Sequence, residues 1–229
     1  MPHGTGWTGR VMATSSALTT LALPEHEGRL LAAHLDRLAA WDPAGHVRVV
    51  ARGSAVGVYA APPMRVISFV ALPLREAVVD EVDVSARISD VRAGLVTAAG
   101  LTDMRLPEPA VGSPGLAVLP PSEGWQLPIH GVSGDVVTEV DAAVAEFRRR
   151  APSVVDPQAL AEQIWERPSF GGLPLRVLHA ARRLGFLSDD ASRVTACTMT
   201  GWKRLTTVRG QVFVRTHTPT QRPDLSVVR

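Results

Sequence analysis

Between Leu175 and Arg215 the chain reads LRVLHAARRLGFLSDDASRVTACTMTGWKRLTTVRGQVFVR, and its side chains offer chemistry to a polyanion. On a helical wheel Val177, Leu178, Ala181 and Leu184 share one face. Arg176, His179 and Arg183, at i, i+3 and i+7, then form an outward stripe with Arg182 beside it. Guanidinium groups in that arrangement can pair with phosphate oxygens or with the O6 and N7 edge of guanine. The β-rich stretch that follows an acidic turn contains no carboxylate from Ala191 to Arg215, and Lys203, Arg204 and Arg209 give it a positive surface suited to backbone phosphates.

The other chemistry-bearing patterns are weaker. Gly4, Gly6 and Gly9 match G-x-G-x-x-G, but no strand precedes them to aim the turn and no helix follows to meet a pyrophosphate. GVSGD at 131–135 carries Asp135 where a nucleophile elbow needs glycine, so Ser133 or Asp135 reads as a helix cap. His26 and His34 stand eight apart on one helix, the wrong spacing for a shared metal, and Asp80, Glu81 and Asp83 read as a solvated loop. The single cysteine, Cys197, can form neither an internal disulfide nor a zinc site by itself. No catalytic set, metal site or cofactor is expected. One long loop, SPGLAVLPPSEGW, followed by Gln126 and His130, could cover a pocket lined by Trp125 and His130, or could act as a strap between two parts of the chain.

Charge distribution supports the polyanion reading. Residues 1–150 hold 13 basic and 16 acidic side chains, and residues 151–229 hold 11 and 6, so the first part is near −3 and the second near +5. Of the 24 basic residues only Lys203 is lysine, a bias that points to a bacterial genome rich in GC before it points to function. No apolar run approaches the length of a membrane span, so a cytoplasmic protein with no membrane partner is expected.

The elements that must position these side chains follow from periodicity. Residues 1–22 read as a flexible tail in which Met12 is an alternative start. PEHEGRLLAAHLDRLAAWD predicts an amphipathic helix with Leu31, Leu35 and Leu38 on one stripe. HVRVVARG, SAVGVYAA and RVISFVALPL predict an antiparallel meander turning at Arg52-Gly53-Ser54 and at Pro62-Pro63. VDVSARI adds a strand, and Ser89 caps a short helix over DVRAGLVTAAG. A domain of this kind spans 23–106, and a Pro- and Gly-rich linker or strap occupies 107–134.

Residues 135–217 carry three helical segments, with Asp156-Pro157 starting the second, and a hairpin turning at Arg209-Gly210; residues 218–229 form a tail. This order, with LGFL ending the third helix, resembles a winged helix-turn-helix. The expectation is therefore an α+β protein: an N-terminal helix packed on an antiparallel β-meander, and a C-terminal three-helix plus β-hairpin, winged-helix-like domain. The resemblance implies a DNA-binding regulatory or accessory protein acting on double-stranded DNA; the N-terminal domain is expected to sense or to form a homodimer. The alternatives are an enzyme or small-molecule-binding protein with its site between the domains near the 107–134 loop, and a structural or interaction protein without ligand.

Overall fold

The structure, a computed structural model, describes residues 19–216. The glycine pattern, the Met12 start and both terminal tails, apart from residues 19–22, lie outside the described residues. Where the apolar spacing is helical, helices form: α1 (Glu25–Trp41), α3 (Ser133–Arg150), α4 (Pro157–Trp165) and α5 (Leu175–Arg183). Leu31, Leu35 and Leu38 are buried along α1, and Glu25 and Glu27 sit in its first turn, where the helix dipole favours them. Asp156 caps α4, its carboxylate accepting from the backbone N–H groups of Gln158 and Ala159.

The β-structure departs from the expected meander. The two predicted runs HVRVVARG and SAVGVYAA are one strand, β2 (His46–Ala60), and RVISFVALPL and VDVSARI merge likewise into β3 (Ile67–Arg87). Arg52-Gly53-Ser54 is a bulge and not a turn. Gly53 takes φ +55 and opposes Val78, Ala55 opposes Pro73, and the ladder resumes on either side. Ser89 does not cap a long helix: α2 covers Ile88–Ala93 only, and the remainder of the segment becomes β4 (Leu95–Ala98), paired with β5 (Leu101–Arg105). With β1 (Thr20–Pro24) these strands form a small sheet in the order β1-β5-β4.

The large sheet runs β2-β3-β9-β8-β7-β6, all antiparallel, with β6 (Gln126–Val132), β7 (Arg193–Met199), β8 (Trp202–Thr206) and β9 (Gln211–Arg215) from the second half of the chain. The halves meet where Ile67, Ser68 and Phe69 pair with Phe213, Val212 and Gln211. The winged-helix expectation fails at this seam. The β8–β9 hairpin has one strand bonded to β7 and the other to β3, so it lies in the middle of a sheet and cannot project as a wing.

Strand alternation gives the sheet two covered faces. Val58, Val70, Leu72, Leu205, Val212 and Val214 join the helices in one continuous core that spans both halves. On the opposite face Ile67, Phe213 and Trp202 form a second, smaller core with Leu116, and Tyr59, Phe69 and Trp125 pack against it. Leu116 and Trp125 arrive on the segment joining β5 to β6, which crosses this face as a strap. It is held by Arg48 donating to the Leu116 carbonyl (3.0 Å) and Arg215 donating to that of Val118 (3.1 Å).

Candidate functional site

The residues expected to make a basic stripe do not share a surface. Arg176 is only 7% exposed and forms an ion pair with Glu166. His179 stacks on Trp165 (4.6 Å between ring centroids) and meets Trp41 edge-on, and burial lowers its pKa, aided by Arg183. Arg183 lies over the Trp41 ring at 4.8 Å, and Arg182 reaches Asp189 at 3.1 Å and Asp141 at 3.5 Å. In the sheet, Lys203 donates to the Gly172 carbonyl and Arg204 lies over Trp125 at 4.4 Å; Arg209 pairs with Asp190 at 3.5 Å. These six cations are answered by carboxylates, carbonyls and aromatic faces of the same protein.

Trp125 and His130 are also separated in role. Trp125 packs on Phe213 and donates from Nε1 to the Pro121 carbonyl, whereas His130 is exposed and shares a 3.0 Å hydrogen bond with Thr195. Neither is among the residues that line the three cavities found on α3, at the junction of the halves and beside the strap.

Three other features carry functional potential. A cavity of about 680 Å³ lies at the junction of the halves, between α1, β3 and the β8–β9 hairpin, with Leu30, His34, Arg37, Phe186 and Arg209 on its walls. His34 is buried there against Phe186, and neither ring nitrogen has a hydrogen-bond partner. Desolvation, with Arg37 nearby, lowers its pKa to about 4, so the imidazole is neutral. A second cavity, of about 540 Å³, opens between the β2–β3 turn, the strap and the ends of β8 and β9. The third feature is an open sheet edge. Among the described residues strand β6 has a neighbour on one side only, and it exposes Leu127 (73%), Ile129 (48%) and Val132 (39%).

The exposed helical surface is close to neutral. Helix α1 carries Glu25, Glu27 and Asp36 against Arg29 and Arg37, and α3 carries Asp135, Glu139, Asp141 and Glu146 against Arg148, Arg149 and Arg150. No group of three or more metal-ligating side chains comes together among the described residues, and none of their helices is long and apolar enough to cross a membrane.

Comparison with known proteins divides the chain near the strap. Residues 17–115 match the model of a domain of unknown function (DUF8010), and residues 120–219 match that of another (DUF8185). No curated protein matches. Among solved structures, the DNA polymerase III subunit beta of Pseudomonas aeruginosa superposes with a TM-score of 0.54 at 11% identity, over 86% of this chain and 64% of that one. The P. aeruginosa DnaN sliding clamp bound to griselimycin gives 0.53 at 12% identity, over 87% and 64%. The Caulobacter crescentus pol III beta gives 0.52 at 9% identity, over 86% and 65%. The chain thus spans slightly less than two thirds of the length of these clamps and shares their fold. That likeness overturns the winged-helix fold and, with it, the DNA-binding regulator built on a winged helix. The enzyme and ligand-free alternatives gain no support from it.

Proposed function

We propose that this protein is a clamp-fold accessory of DNA synthesis, a non-catalytic body that self-associates and works on duplex DNA beside a polymerase. One observation carries the reading: the likeness to DNA polymerase sliding clamps runs through both halves of the chain and over 86% of its length. The geometry adds a means of assembly. Strand β6 offers unpaired backbone groups along an edge lined with Leu127, Ile129 and Val132, the combination that favours pairing with a strand of another copy. That edge belongs to the second half of the chain, in place of the N-terminal surface expected from sequence.

The charge of the helices shapes the expected DNA contact. With α1 and α3 each carrying a net charge of −1, few phosphates are neutralised at their surface and few counterions are released. Duplex binding therefore depends on assembly more than on charge, and its salt dependence is shallow.

Light scattering after gel filtration, duplex binding over a salt series, and synthesis by the host polymerase on a primed template test this together. Expected are a multimer that Ile129→Asp reduces to a monomer, duplex binding lost in the same variant, and longer products when the wild-type protein is present. A wild-type monomer at every concentration, without effect on the polymerase, would overturn the reading.

A further inference from the structure

The cavity of about 540 Å³ beside the strap falls within the roughly 300 to 1,000 Å³ typical of small-molecule sites, and its lining is of two kinds. Ile67, Trp202 and Phe213 form an apolar wall, and Arg65, Arg176 and Arg215 bring three guanidinium groups to it from separate parts of the chain. Among the described residues one carboxylate answers them. Glu166 Oε1 accepts from Arg65 at 2.8 Å and pairs with Arg176, while Arg215 lies over Trp202 at 4.7 Å and bonds the strap carbonyl. Among the described residues two positive charges are in excess beside an apolar wall. Arg176 is 7% exposed, and its Nε has no hydrogen-bond partner among the described residues.

The backbone holds Arg65 at this mouth by an unusual conformation. Met64 and Arg65 are consecutive non-glycine residues at φ +81 and +56, in the left-handed region that L side chains seldom adopt. A turn held in that form is costly unless its surroundings fix it, and such turns cluster at ligand clamps.

The geometry points to this cavity as a binding site for a small organic carboxylate with an aryl or branched-alkyl body. The choice of anion comes from the site itself. Its guanidinium pair already grips a carboxylate, that of Glu166, and the planar fork of arginine matches a two-oxygen acid group. Glu166 is half-exposed at the C-terminal end of α4, so its carboxylate can give way to a ligand's without opening the core. The ligand body then lies against Trp202, Phe213 and Ile67, beneath the strap. This site is separate from the β6 edge and does not depend on the clamp reading.

Calorimetry and saturation-transfer NMR with three probes test it: phenylacetate, its neutral amide phenylacetamide, and inorganic phosphate. Phenylacetate is expected to bind the full chain, and the amide and phosphate to bind at least tenfold more weakly. Arg65→Gln, at an exposed position that leaves the fold intact, should weaken phenylacetate about tenfold, the loss of one charge-assisted hydrogen bond. Glu166→Gln, which removes the internal competitor, should tighten it, with thermal melts confirming that both variants are folded. Equal binding of amide or phosphate, no loss in Arg65→Gln, no gain in Glu166→Gln, or no phenylacetate binding to the wild type would each overturn the assignment.

Discussion

Helix α1 keeps His26, Arg29, Asp36 and Arg37 in solvent along one side, whereas α5 has almost no side that faces water. Both are amphipathic, with leucines on one stripe and charge on the other. What differs is the partner of the polar stripe. The polar residues on α1 that face solvent make at most surface ion pairs, while those on α5 stack on Trp41 and Trp165 or pair with Glu166, Asp141 and Asp189. A charged stripe therefore reports that a helix face is polar, not that it is exposed. Aromatic rings and carboxylates supplied by other elements can take the place of water.

This contrast can be broken or sharpened by substitution. On the apolar stripes the two helices should behave alike: Leu35→Ala on α1 and Leu178→Ala on α5 each remove a fully buried leucine and should cost about 2 to 5 kcal/mol in denaturant unfolding. A small effect at either position would show that its helix does not anchor the core.

His34 gives the next largest effect. Its pKa is about 4 in the fold against 6.5 when unfolded, so between these values the unfolded chain holds the extra proton and stability rises with pH. Stability is full above pH 6.5 and falls as pH drops towards 4, by about 3 kcal/mol across the window. His34→Leu should flatten that part of the profile, and an unchanged profile would mean the imidazole can be hydrated in the fold.

The polar stripes supply the discriminating pair. Arg176→Ala should cost about 1 to 3 kcal/mol, because it empties a buried position and leaves Glu166 with Arg65 alone. Arg37→Ala on the solvent side of α1 should stay within about 0.5 kcal/mol. Equal losses at the two sites would erase the distinction between the helices.

The local part of this arrangement is legible in the sequence. The periodicities of α1, α3 and α4 and the Asp156-Pro157 start are local signals and appear where the residues place them. At Gly53 the sequence reads as a turn where the structure has a bulge, because a glycine with positive φ serves both equally well and only the partner strand decides between them. The seam between Ile67–Phe69 and Gln211–Phe213 joins segments far apart in the chain, and no local pattern encodes such a pairing. The same holds for the carboxylate cavity: Arg65, Arg176 and Arg215 come from a hairpin turn, a helix and a strand end. In a sequence with 23 arginines nothing singles those three out.

The strap ties the two halves into one chain, yet the seam between them is built from contacts that do not require it: a short stretch of ladder, the Trp41–His179–Trp165 stack and the His34–Phe186 pair. The strap thus sets the local concentration at which one half meets the other. A single backbone cut within it turns one chain into a complex of two fragments, whose persistence follows mass action where the intact chain's does not. Co-expressed as separate polypeptides, the halves become a reporter in which dilution alone reads the strength of the seam.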